Sequence, residues 1–183
     1  MPDRYTQLAV CCEDLQQRCF VYQYLTSKGL NARRIRFRQC PAGRGGDAKH
    51  FVCMKHVEEV RAVRAKRHLK AGVISILDAD NATVAQRKAE LDSALQKEGQ
   101  QPRQATERIG VLVPRRNIET WIHALLGEAV DEVTSYRHFR GDESSCYGAV
   151  QEFVRRCPDG MRSDDLPSLQ DGCKELTSFL KNA

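Results

Sequence analysis

Val73-Ile74-Ser75-Ile76-Leu77-Asp78-Ala79-Asp80 decides the fold: a short, almost unbroken apolar run ends on two carboxylates. Apolar residues on both alternations are the pattern of a strand buried on both faces, as in a parallel sheet. Leu8-Ala9-Val10-Cys11-Cys12 repeats the pattern and delivers Glu13 and Asp14. A helical pattern follows each run. In an open α/β sheet, ligands bind beyond the carboxyl ends of the strands, so carboxylates ending neighbouring parallel strands converge. Like charges that close repel unless a cation stands between them, and carboxylate oxygens suit Mg²⁺ or Mn²⁺. The sequence predicts a divalent-metal site at this edge of the sheet.

Working outward, strand one is expected at residues 7–12, followed by a helix from Asp14 to Lys28 that Gly29 stops. Strand two is expected at 32–39, where Ile35 and Phe37 alternate with Arg34, Arg36 and Arg38. That alternation fits an edge or half-exposed strand with an arginine-rich face. A glycine-rich stretch, Pro41 to Lys49, leads into a helix over 50–70. Amides in such a loop can cradle a phosphate, but the Gly-Lys-Ser/Thr ending of a Walker A loop is missing, and a plain connector has the same composition.

Strand three is expected at 72–77, a polar helix at 83–98 ended by Gly99, and strand four at 108–113. Asn117 is placed to cap a helix from Ile118 to Leu126, closed by Gly127. Glu119 then sits in its first turn, beside the end of strand four. There it either joins the acidic site or stabilises the helix dipole. Two more helices are expected at 147–156 and 166–180, the second capped by Ser163 or Asp164. Strand–helix alternation stops near residue 127, so the chain reads as a domain over 1–127 with a helical extension over 128–183 packed on it.

The 183 residues suffice for a proper core, and the formal charge is a modest +5. No apolar run is long enough to cross a bilayer and the amino terminus lacks a signal-peptide pattern, so a cytoplasmic protein is expected. The eight cysteines form no Cys-x-x-Cys pair and several lie in apolar stretches, which predicts reduced, structural thiols. Between Lys28 and Lys70, thirteen Lys and Arg face only Asp47, Glu58 and Glu59. Such a block suits a polyanion held beside a metal, or else a solvated basic face.

The ordered set of Glu13 after strand one, Asp78-x-Asp80 after strand three and Glu119 after strand four resembles the Toprim domain. That is the metal-binding catalytic domain of topoisomerases, bacterial primases, the small 5S-rRNA maturase and OLD-type nucleases. The similarity spans residues 7–127 and is greatest to the small stand-alone Toprim-like proteins of the RloB kind, linked to bacterial defence loci. The helix Ile118-Glu119-Thr120-Trp121-Ile122 and the stretch Gly43-Arg44-Gly45-Gly46 resemble theirs.

The resemblance implies an α/β, Rossmann-like Toprim domain with a central, mostly parallel four-stranded sheet flanked by helices, plus the C-terminal helical extension. It implies Mg²⁺ or Mn²⁺ held by Glu13, Asp78 and Asp80 for phosphodiester chemistry, with Glu119 as a further catalytic carboxylate. Two departures matter. Cys12-Glu13-Asp14 has no glycine after the glutamate, which leaves either Glu13 or Asp14 to face the metal. Asp78-Ala79-Asp80-Asn81 lacks the third aspartate of topoisomerases, so Asn81 is at most a weak or water-mediated ligand. Nothing marks Tyr136 or Tyr147 as a nucleophile, which favours hydrolysis by water over strand transfer.

Arg44, Lys49, Arg115 and Arg116 flank strand ends as phosphate contacts or surface charges, and His123 is a partly buried, hydrogen-bonded side chain or a substrate contact. The expected function is a metal-dependent nuclease acting on DNA or a tRNA-like RNA, in anti-phage defence by resemblance alone. The alternative is a non-catalytic or regulatory nucleic-acid-binding module that depends on a partner ATPase or on homo-oligomerisation. A response-regulator-like domain is disfavoured, because no phosphoacceptor arrangement with a later strand-end lysine is visible.

Overall fold

A computed structural model describes residues 6–42, 47–137 and 142–182. Arg44 and its glycine neighbours lie outside the described residues. The four strands are β1 (Gln7–Cys12), β2 (Ile35–Gln39), β3 (Ala71–Ile76) and β4 (Ile109–Leu112). They form one sheet in the order β2-β1-β3-β4, with every neighbouring pair parallel. Leu8 stands opposite both Ile35 and Gly72, and Val73 opposite Ile109.

Parallel neighbours need crossovers, and three helices supply them: α1 (Leu15–Ser27), α2 (Ala48–Ala65) and α3 (Val84–Lys97). The chain continues through α4 (Ile118–Leu125), α5 (Tyr147–Arg156) and α6 (Pro167–Lys181). The architecture is α/β and Rossmann-like, with helices on both faces of the sheet.

The two-residue period of a strand sorts the core into two clusters. Leu8, Val10, Ile74, Ile76 and Leu112 meet Phe20 and Tyr24 of α1, Trp121 of α4, Phe153 of α5 and Phe179 of α6. Ala9, Cys11, Val73, Leu77 and Val111 meet Val52 and Val60 of α2 and Leu91 and Leu95 of α3. The C-terminal helices therefore complete one face of the central sheet. Trp121 and Phe153 are fully buried there, and Trp121 Nε1 donates to Ser168 Oγ at 2.7 Å.

The differences from expectation are local. Residues 32–34 form a 3-10 turn, since Asn31 Oδ1 accepts the Arg33 N–H at 3.0 Å, so β2 begins only at Ile35. Helix α2 starts two residues early, at Ala48, and ends at Ala65, short of Lys70. Pro167 opens α6 at its first turn, after Leu166, so neither Ser163 nor Asp164 caps it.

The cysteine expectation is corrected: Cys157 and Cys173 form a disulfide. The packing of α6 against the end of α5 brings their Cα atoms to 5.7 Å, a proximity that sequence spacing does not reveal. The other cysteines among the described residues are free thiols. Burial pushes Cys11 up to about 12, which keeps it an inert core thiol. Among the described residues no helix is long and apolar enough to cross a membrane.

Candidate acidic site at the strand ends

Three strand ends deliver the carboxylates. Glu13 follows β1 directly, and its Oε1 accepts the backbone N–H of Asp78 at 2.5 Å. Asp78 lies two residues past β3, in a segment that keeps pairing with the segment after β4. Ala79 N–H donates to Pro114 O and Asp80 N–H to Arg116 O, both at 2.9 Å. Glu119 occupies the first turn of α4 and is buried, with 1% exposure.

Asp14 takes a different role from Glu13. Its Oδ1 accepts the Gln17 N–H at 2.8 Å and caps α1. Glu13 is therefore the carboxylate that reaches across to β3.

Gln17 is the residue that the sequence reading missed. It is fully buried, its Oε1 accepts the Glu13 N–H at 2.9 Å, and its Nε2 donates to Asp78 Oδ1 at 3.0 Å. The signal was present, because Asp14-x-x-Gln17 has the spacing of a capping box. Here the glutamine reaches one residue further back, and spends its amide on the neighbouring strand end.

The electrostatics follow from burial. Burial holds Asp78 well above the ordinary carboxylate range, and the nearby charges of Glu13, Asp14 and Glu119 push the same way. Glu13 is also raised, by burial first, although Lys49, the Asp78 N–H and Gln17 oppose the rise. The counter-charge comes from Lys49, in the first turn of α2. Its Nζ is 3.5 Å from Glu13 Oε2 and closer still to Asp80 Oδ2. Burial works against the Lys49 charge, but Asp80 and Glu13 outweigh it and raise its pKa.

Arg115 and Arg116 shape the loop beneath Asp80. Arg115 Nη1 donates to the carbonyls of Asp80, at 2.9 Å, and of Ala82. Arg116 Nη1 donates to Asp80 O at 3.2 Å and to Asn81 Oδ1 at 2.5 Å. Asp80 and Arg116 both have positive φ, 49° and 70°, a conformation that L side chains rarely adopt. The hydrogen bond between their backbones holds the two strained turns together. Ser168 supports the same loop from α6, its Oγ accepting the Arg115 N–H at 3.1 Å.

Other candidate residues stand apart. His123 Nδ1 is 2.8 Å from Glu128 Oε2, beside the Tyr136 ring. Arg36 and Arg38 grip the buried Glu59 at 2.6 and 2.7 Å, so part of the arginine-rich face of β2 is tied down. Asn117 turns its side chain to Thr120 and to the Tyr136 carbonyl and makes no side-chain cap bond.

The donors that gather here are hard oxygens, the chemistry that Mg²⁺ or Mn²⁺ takes. Among the described residues, however, no three His, Cys, Asp or Glu side chains group as a metal site, and Lys49 joins Glu13 to Asp80. Comparison of the chain with protein-family models, with curated proteins and with solved structures found no match.

Proposed function

We propose that this protein is a divalent-metal-dependent nuclease whose site is the carboxylate cluster at the ends of β1, β3 and β4. One observation carries the reading: Asp78 is buried among Glu13, Asp14 and Glu119, and the adjacent cation is Lys49. Such a set of negative charges gains most from a divalent cation. The order of these residues along the chain and their resemblance to the Toprim pattern support the same reading.

Glu13, Asp78 and Asp80 would hold Mg²⁺ or Mn²⁺. The bound ion would neutralise the phosphate and lower the pKa of a nucleophilic water. The chain's own residues do the rest. Gln17 fixes the orientation of Asp78, and Arg115 with Arg116 holds the strained turn that carries Asp80. Lys49, which pairs with Glu13 and Asp80, would be the cation for a substrate phosphate where an ion took its place beside them. Glu119 adds negative potential at the end of β4.

A second reading has its own support. As the side chains stand, Lys49 already neutralises Glu13 and Asp80. A regulatory module that needs a partner ATPase or a second copy to open this pair would keep such an arrangement. A role in anti-phage defence rests on resemblance alone.

The deciding experiment incubates the protein with single-stranded DNA, duplex DNA and total tRNA under Mg²⁺, Mn²⁺ or EDTA, beside the Asp78→Ala/Asp80→Ala variant. Metal-dependent cleavage lost in the variant is the expected result and reveals the substrate class. Metal binding by calorimetry without cleavage favours the partner-dependent module. No metal binding overturns the nuclease reading.

A further inference from the structure

A groove of about 1070 Å³ runs between α2 and α3. At one end it is lined by Asn81 and Ala82, next in the chain to Asp80, and by His50, next to Lys49. The groove therefore begins where the proposed site ends. Its apolar lining comes from Cys53, Met54, Val57, Ala82, Ala89 and Ala94, with Met54 42% exposed.

The acidic groups on its rim are already answered. Glu58 pairs with Lys55 at 2.7 Å, Glu90 with Arg87 at 2.7 Å and Glu98 with Arg61 at 3.5 Å. The groove mixes Arg61 and Lys97 with Glu58, Glu90 and Glu98 in its lining, whereas nucleic-acid backbones are held by predominantly cationic surfaces. Its volume and partly apolar lining instead suit an uncharged group with a flat face. An exposed methionine is a good partner for such a face, since its thioether packs favourably on aromatic rings.

We propose that the groove receives the nucleoside next to the scissile phosphate, with its base lying against Met54 and Ala89. The proposal rests on the nuclease reading and narrows its substrate to nucleic acid that is single-stranded or has an extruded base. A base still stacked in a duplex cannot enter a groove between two helices.

The test uses the full chain labelled at methionine methyls and backbone amides, titrated without metal by adenosine, AMP or ribose 5-phosphate. Adenosine and AMP are expected to shift the Met54 methyl and the Ala82 and Ala89 amides. Ribose 5-phosphate, which carries no base, should leave the Met54 methyl unshifted. If Met54 responds to neither adenosine nor AMP, the groove assignment is overturned, whatever the cleavage assay shows. A Met54 shift that follows protein concentration alone gives the groove to a second copy and overturns it too. In the cleavage assay, Ala89→Trp, at an exposed position, is expected to raise KM for a single-stranded oligonucleotide about tenfold with kcat little changed. Equal KM values for the variant and the wild type also count against the proposal. Nucleoside binding at Met54 without any metal-dependent cleavage would sink the nuclease reading and leave the groove assignment standing.

Discussion

Glu13 Oε1 accepts the backbone N–H of Asp78 at 2.5 Å, so one side chain joins the end of β1 to the end of β3. The bond holds the Glu13 carboxylate against a second, buried carboxylate, and the protein stores the repulsion between them.

Asp78→Asn removes a buried charge while keeping an oxygen to accept from Gln17. In metal-free buffer near neutral pH the variant should be more stable than the wild type, by on the order of 1 kcal/mol, because the repulsion from Glu13 and Glu119 is gone. Metal-dependent cleavage should be lost at the same time. Thermal melts beside the cleavage assay check both, and a destabilised variant would show that Asp78 is not held under repulsion.

Lys49→Gln leaves Glu13 and Asp80 without their shared cation. The variant should melt below the wild type without metal and gain more stability from Mg²⁺, since the ion no longer competes with a lysine. Cleavage should fall even as metal affinity rises. An Mg²⁺-induced shift in Tm smaller than that of the wild type would contradict the role given to Lys49.

His56 is buried, its Nδ1 2.8 Å from Ser75 Oγ, and burial, with Arg103 and Arg64 nearby, pushes its pKa down to about 3. Between that value and the ordinary histidine value of about 6.5 the unfolded chain binds the extra proton, so stability falls as pH drops through this window. His56→Gln should flatten this acid limb. Urea melts of the two proteins at neutral and mildly acidic pH give the difference, which should shrink as pH falls.

The disulfide between Cys157 and Cys173 closes a loop of sequence separation 16. Reduction, or Cys173→Ser, should cost about 3 kcal/mol by the loop-entropy relation. Melts with and without a reductant measure it. An unchanged Tm would mean that the packing of α6 on β4 alone holds the tail.

Gly172 lies against the Trp121 ring, where an added Cβ would overlap it. Gly172→Ala should destabilise by about 1–3 kcal/mol through overpacking. Loss of the Trp121 fluorescence shift at a lower urea concentration is the readout.

Much of this protein was legible in its sequence. The apolar runs before Glu13 and Asp78 fixed the strands, because a strand buried on both faces has no polar alternation to hide it. Gly29 and Gly127 marked the helix stops, and both take the positive φ that glycine tolerates best, 84° and 88°. The start of β2 was misjudged, because a local Asn31 bond outweighed the alternation of Ile35 and Phe37. The apolar runs also predicted that the carboxylates after β1 and β3 would meet at one edge of the sheet, and put Glu119 beside the end of β4 while leaving open whether it joins them or serves the helix dipole.

Only the tertiary structure decided how they meet. Gln17 bridges two strand ends, Lys49 stands between Glu13 and Asp80, and Arg115 and Arg116 turn inward onto the Asp80 loop. The Cys157–Cys173 pair likewise depends on how α5 and α6 pack. Strand and helix patterns arise from neighbours a few residues apart, so a sequence carries them directly. A contact between residues 61 positions apart, such as Gln17 and Asp78, depends on the packing of whole elements, and no local pattern encodes it.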